Sequence, residues 1–219
     1  MAAILFDLDD TLYKERHFVV SAYRAVSSYM SSITGADPEV LFPIIAKNRP
    51  RGFEAALEAQ RGMPGVDTIS IDKLVHVYRS HTPDIHLDPE VANTLATLKA
   101  RGHRLGIITD GTVLTQGIKI EALGLLDYVE PDAIWISERT GGDKTTILPW
   151  IAAEKYFGTA TLTYVGDNLS KDFRYPNLRG WRTVMLRDRL SENVFPQRPC
   201  DWPAENRAQM TIDSLSQLI

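Results

Sequence analysis

Ile4-Leu5-Phe6-Asp7-Leu8-Asp9-Asp10-Thr11-Leu12 sets three consecutive apolar residues directly against a run of carboxylates. An apolar run without alternation fits a strand buried on both faces, the pattern of a parallel sheet. Outward along the chain, similar runs recur at Leu105 to Ile108, Ala133 to Ile136, Leu162 to Val165 and Thr183 to Leu186. Helical patterns lie between them. Asp88 or Pro89 opens one, with Val91, Leu95 and Leu98 at helical spacing and Gly102 as its stop. Others are expected over Thr115 to Leu123, Thr146 to Tyr156 and Ser170 to Leu178, before Gly124, Gly158 and Gly180. Strands alternating with helices predict βαβ units: a doubly wound, Rossmann-like parallel sheet in three α/β/α layers.

One interval is too long for a crossover. Lys14 to Leu87 carries four helical patterns of its own, at Phe18 to Ile33, Pro38 to Ala46, Phe53 to Gln60 and Ile71 to Tyr78. Turn-forming stretches such as Gly35-Ala36-Asp37-Pro38 and Arg49-Pro50-Arg51-Gly52 divide them. The expected organisation is therefore an α/β core of residues 1–13 and 88–219, with a helical subdomain of residues 14–87 inserted after the first strand. Arg187 to Gln209 is polar, carries Pro196, Pro199 and Pro203, and reads as an irregular surface excursion. Met210 to Ile219 reads as a returning strand and a terminal helix.

Composition excludes several functions. The net charge of −4 and the lack of a basic stripe argue against nucleic acid as a partner. No apolar run is long enough to span a membrane, and the short stretch before Asp7 lacks the length and basic flank of a signal peptide. The single cysteine, Cys200, forms no intramolecular disulfide and suits a reducing compartment. A cytoplasmic protein, monomer or homodimer, is the expectation.

Ligands of open α/β sheets bind at the carboxyl ends of the strands. Here those ends carry Asp7, Asp9 and Asp10, then Thr109-Asp110-Gly111, then Gly166-Asp167-Asn168 with Asp172 beyond; Lys144 follows the third strand after Gly141-Gly142. Any one aspartate here reads as a helix cap or turn former. Asp10, alternating away from its neighbours, is expected to be one. If Asp7, Asp9, Asp167 and Asp172 converge, each like-charge pair about 4 Å apart costs roughly 1–4 kcal/mol. Such a cluster calls for a cation, and an all-oxygen donor set without His or Cys favours Mg²⁺ over zinc. Carboxylates with a metal, a lysine and a hydroxyl beside backbone amides suit phosphoryl chemistry.

These motifs, in this order, resemble those of the haloacid dehalogenase-like (HAD) superfamily. Ile4 to Leu12 matches its Asp-x-Asp-x-Thr motif, Ile107-Ile108-Thr109-Asp110-Gly111 its second, Lys144 its third, and Gly166-Asp167 through Asp172 its fourth. The helical insertion lies where one subclass places a cap. The resemblance implies that Asp7 attacks phosphorus to form an aspartyl-phosphate. It implies that Asp9 is general acid and then base, its pKa raised by neighbouring carboxylates. Mg²⁺ would be held by Asp7, the Asp9 carbonyl and Asp167, with Asp172 supporting. Thr109 and the amides of Asp110 and Gly111 would hold the phosphate, and Lys144 would bridge phosphate and nucleophile. Two positions depart from the family pattern. Asp110 stands where Asn is common, which repels phosphate unless the side chain points away. Thr145 follows Lys144 where Pro is common, leaving Lys155 and Lys171 as alternatives to Lys144; Lys171 reads as solvated.

The implied activity is hydrolysis of a small phosphate monoester, of the sugar phosphate or nucleotide class. In that subclass the cap excludes water and selects the substrate. Lys14, Arg16, His17, Arg49 and Arg51 are candidates for that contact, although each also reads as solvated. Phe18, Tyr23, Tyr29 and Phe42 read as core of the inserted subdomain. A dehalogenase needs no acid at Asp9. A phosphomutase of the same fold would keep all four motifs, whereas the complete set argues against a catalytically weak regulatory or binding protein, which has no use for Asp9.

Overall fold

The computed structural model describes residues 2–158, 160–198 and 202–219; Pro199 and Cys200, both named above, lie outside them. Its elements run β1 (Ala2–Phe6), α1 (Glu15–Thr34), α2 (Pro38–Lys47), α3 (Gly52–Ala59), α4 (Ile71–Ser80), α5 (Pro89–Ala100), β2 (Arg104–Thr109) and α6 (Val113–Ala122). There follow β3 (Ile134–Ile136), α7 (Ser137–Thr140), α8 (Leu148–Phe157), β4 (Thr161–Gly166), α9 (Arg174–Leu178), β5 (Arg182–Leu186) and β6 (Met210–Ile212). The chain divides into two compact units, Met1–Arg16 with His86–Ile219, and His17–Ile85. The division falls in the first turn of α1.

In the larger unit the strands form one sheet in the order β3-β2-β1-β4-β5-β6, parallel throughout. β1 is central, and Ala3 to Phe6 are buried, as expected of a strand covered on both faces. Neighbouring strands are in step at their carboxyl ends, with Phe6 opposite Ile107 on one side and Val165 on the other. That register brings the residues that follow β1, β2 and β4 to one edge of the sheet. Behind β4, Trp150 of α8 is fully buried and packs edge-on against Tyr164 and Trp181, with centroids 4.8 and 5.6 Å away. The strand order reverses between β1 and β4, the switch point at which such sheets take ligands.

Local chemistry sets the helix ends. Asp88 accepts the Glu90 amide at 2.8 Å ahead of Pro89, and Thr112 accepts the Thr115 amide at 3.2 Å. The Thr112 cap starts α6 two residues before the expected Thr115. Ser170 to Leu178, expected as one helix, is helical only over Arg174–Leu178. The missing turn has a definite cause. Asp172 folds back to accept the amides of Asp167 and Asn168, at 3.0 and 2.8 Å, and draws the segment into a tight loop. Gly166 is required there, because a Cβ would collide with Oδ2 of Asp172.

The smaller unit contains α2, α3, α4 and nearly all of α1 around its own core of Val26, Met30, Leu41, Ile45, Ala56, Ile69 and Leu74. Tyr23 and Tyr29 pack against that core, and buried Phe18 meets Tyr78 edge-on at 5.8 Å. Phe42 lies beneath the Arg24 guanidinium at 4.9 Å. Arg49 stands over the Tyr23 ring at 5.7 Å. Among the described residues, no helix is long and apolar enough to cross a membrane.

Candidate active site

Asp7, Asp167 and Asp172 converge at the carboxyl edge of the sheet, each offering a carboxylate oxygen within 4.8 Å of the others. All three are buried. Lys144, itself only 3% exposed, stands between two of them: its Nζ is 2.9 Å from Asp7 Oδ2 and 2.6 Å from Asp172 Oδ1. Burial pushes the Asp7 carboxyl up to about 8 against the pull of Lys144. Asp167 is held well above the carboxylate range, by burial first and then by Asp172 and Asp7. Burial disfavours the Lys144 ammonium, but Asp172 and Asp7 outweigh it and keep the charge. One lysine cannot balance three buried carboxylates, so Asp7 and Asp167 need a further cation before both can ionise. Desolvation and mutual repulsion both favour a further cation here.

The two acidic residues of the β4 loop are used differently. Asp172 commits Oδ2 to two amides and Oδ1 to Lys144, so it shapes the loop and anchors the lysine. Asp167 accepts from Thr11 Oγ1 at 3.5 Å and from Asn193 Nδ2 at 2.6 Å. Asp10 is buried at a φ of 56° and spends its oxygens on the amides of Glu15 and Val194. It caps the first turn of α1.

Asp9 has surroundings that its sequence context did not suggest. Its carboxylate is not hemmed in by other carboxylates but met by donors. Lys119 Nζ lies 2.7 and 2.9 Å from its two oxygens, Gln116 Nε2 is 2.9 Å from Oδ2, and the Tyr13 hydroxyl is 2.6 Å from Oδ1. Burial and the adjacent Asp9 push the Tyr13 phenol well above its usual range, so it stays a donor. The same Gln116 amide donates to Thr109 Oγ1 at 2.6 Å. A hydroxyl that accepts one bond keeps its own hydrogen for another acceptor.

Asp110, the departure noted above, has both carboxylate oxygens engaged within the chain. Its Oδ1 accepts the Lys144 amide at 2.9 Å, and its Oδ2 pairs with Lys171 Nζ at 2.9 Å. Lys171, expected to be solvated, is thus a partner of Asp110, while Lys155 is exposed on α8. The Gly111 amide donates to Ser137 Oγ at 2.9 Å. Gly111 itself has φ +144° and sits against the Gln116 side chain, where a Cβ would press on Cγ at 3.0 Å.

The polar tail is not a bare surface excursion. Between β5 and β6, Asp188 accepts the amides of Glu192 and Asn193 and forms a compact turn. From this turn Asn193 reaches Asp167, and Gln197 Nε2 donates to the Asp167 carbonyl at 2.9 Å. Lys14 donates to Asn193 Oδ1 at 2.6 Å, and Arg16 pairs with Glu192 at 2.6 Å. Both cations, considered above for substrate contact, are engaged with this segment. Tyr13, Gln116, Lys119, Asn193 and Gln197 are the site-edge residues that sequence reading passed over. Gln116 and Lys119 had one local signal, three-residue spacing on one face of α6.

Residues 4–184 match the family model of the haloacid dehalogenase-like hydrolases. The chain belongs to that family. It is 29% identical over 228 residues to a glyceraldehyde 3-phosphate phosphatase of Methanocaldococcus jannaschii, covering 99% of this chain and 94% of that protein. It is 27% identical over 244 residues to a ribulose-1,5-bisphosphate 5-phosphatase of Halopiger xanaduensis, covering 99% and 97%. Among solved structures it is similar to the HAD-hydrolase YfnB of Bacillus subtilis, crystallised with magnesium, with a TM-score of 0.68 and 19% identity over 99% of this chain and 96% of that one. That last likeness is one of fold.

Proposed function

We propose that this HAD-like hydrolase is a Mg²⁺-dependent phosphatase of small phosphorylated sugars, acting through an aspartyl-phosphate on Asp7. The observation that carries this reading is Lys144 lodged between Asp7 and Asp172 in a buried carboxylate pocket. A buried aspartate facing a fixed cation at a strand end is arranged to meet a phosphoryl group. The donor set there is all oxygen and, once ionised, exceeds the charge of its one lysine, which fits a hard divalent cation. Asp7, Asp167 and the Asp9 carbonyl would hold Mg²⁺, with Asp172 fixing the loop behind them. When bound, the ion neutralises charge on the phosphoryl oxygens.

The chemistry then falls to the chain's own residues. An Asp7 carboxylate oxygen attacks phosphorus, and a P–O bond forms as the ester P–O bond breaks. Asp9 gives its proton to the departing sugar oxygen. In the second half, Asp9 takes a proton from water as that water attacks the aspartyl-phosphate, releasing inorganic phosphate and restoring Asp7. Thr109 donates to the phosphoryl group, and Lys144 holds both the nucleophile and the transferred charge. The phosphatase names of the two relatives favour a triose or pentose phosphate as substrate.

Phosphate release from a panel of triose, tetrose, pentose and hexose phosphates, with Mg²⁺ and with excess chelator, tests this reading. Mg²⁺-dependent turnover highest on a triose or pentose phosphate is expected. Turnover that survives chelation overturns the metal role, and a panel without hydrolysis overturns the substrate class.

A further inference from the structure

The α6 side chains that contact Asp9 make up a buried device that the four motifs do not include. Gln116 and Lys119 are 2% and 3% exposed. A lysine so deeply buried is costly unless it is paired, and both Asp9 oxygens lie within 2.9 Å of its Nζ. A two-point contact fixes the plane of a carboxylate where a single hydrogen bond leaves it free to turn. Gln116 adds a lateral tie, one amide nitrogen donating to both Asp9 Oδ2 and Thr109 Oγ1. The Tyr13 hydroxyl also donates to Oδ1. Gly111 leaves room for the Gln116 side chain at the start of this helix.

We propose that Lys119 and Gln116 form a bracket that sets the orientation of the Asp9 carboxylate and joins it to the phosphate-holding Thr109. Lys119 is thereby a positioning residue for the proton-transfer steps. The proposal rests on the reading of Asp9 as acid and base. Proton transfer requires an oxygen of Asp9 within hydrogen-bond reach of the leaving oxygen and then of water, so a freely rotating carboxylate loses rate. Such a loss depends on the leaving group. A poor leaving group needs its proton as the bond breaks, whereas p-nitrophenolate departs without one.

The test compares phenyl phosphate with p-nitrophenyl phosphate for the wild type, Lys119→Met, Lys119→Arg and Asp9→Asn. Lys119→Met should lower kcat on phenyl phosphate by on the order of 100-fold, the low end of general acid–base effects. Its loss on p-nitrophenyl phosphate should be much smaller, and KM should stay nearly constant on both. Lys119→Arg, which keeps a charged two-point donor, should recover most of the rate on phenyl phosphate. Equal losses of Lys119→Met on both esters, or no loss, overturn the bracket. If Asp9→Asn shows no leaving-group dependence, the acid–base reading of Asp9 fails instead. If Asp9→Asn is leaving-group dependent and Lys119→Met is not, only the bracket fails. Thermal unfolding reports whether Lys119→Met is folded. Should it not be, Gln116→Met reads the same leaving-group dependence from the other arm, and a flat response there overturns the proposal equally.

Discussion

Asp7 and Asp9 are two residues apart in the chain, yet their surroundings have opposite character. Asp7 is buried against carboxylates and one shared lysine, and burial carries it up to about 8. Asp9 instead meets an ammonium, an amide and a phenol, all donating. Asp7→Asn should lower turnover by roughly 10⁴-fold or more, as removal of a nucleophile does elsewhere. Acid-quench trapping of phosphorylated protein checks it, with label retained by the wild type and absent from the variant. Label of equal amount on Asp7→Asn would move the nucleophile elsewhere. Asp110 shows how a departure from a family pattern can be compensated locally: its charge is met by Lys171, and its other oxygen holds the Lys144 amide.

At the scale of elements, the segment between β5 and β6 matters most. Parallel strands need a crossover, and this one, polar and proline-bearing, is folded in its first part by Asp188, which accepts two amides of the turn. It carries Asn193 to Asp167 Oδ2 and Gln197 to the Asp167 carbonyl, while Asp10 accepts the Val194 amide. Asn193→Ala removes a donor that orients a proposed metal ligand. Outer hydrogen bonds to ligating carboxylates are worth about 10- to 100-fold in metal affinity, so a loss near 10-fold is expected. Titration calorimetry with Mg²⁺ measures it directly. An unchanged affinity would limit Asn193 to packing of the tail.

For the whole molecule, the buried carboxylates link folding to pH and, through the proposed Mg²⁺ site, to metal. Asp7 is at about 8 in the folded chain against an ordinary 3.8. Between these values the folded state holds a proton that the unfolded chain has released, so metal-free stability should fall as pH rises through that window. Asp167 is shifted in the same direction and adds to the effect. Bound as proposed, Mg²⁺ would compete with protons for the same oxygens. The rise in Tm on adding saturating Mg²⁺ should therefore be larger at the alkaline end of the window than at the acid end. Thermal unfolding across pH, with and without Mg²⁺, checks this, and a pH-independent rise would contradict the cluster as the binding site.

The sheet was readable in one dimension because strands buried on both faces appear as unbroken apolar runs, as Ile4 to Phe6 and Leu162 to Val165 do. The strand-end positions of Asp7, Thr109 and Asp167 were readable for a related reason: each follows such a run within two residues, and a parallel register gathers strand ends. The helical insertion declared itself through its length and its own apolar periodicity. The spacing of Lys119 from Gln116 alone did not mark it as buried, since a lysine on a helix ordinarily lies in solvent; its burial depends on Asp9, 110 residues earlier in the chain. Nor did the polar stretch after β5 announce Asn193, because its partner Asp167 belongs to another strand's loop. Periodicity reports which residues leave water, whereas the pairing of buried charges is a long-range choice made when strands and helices pack. In the opening stretch, Asp7 was legible from its place at the end of β1, and the bracket around Asp9 took shape only when α6 came to lie beside it.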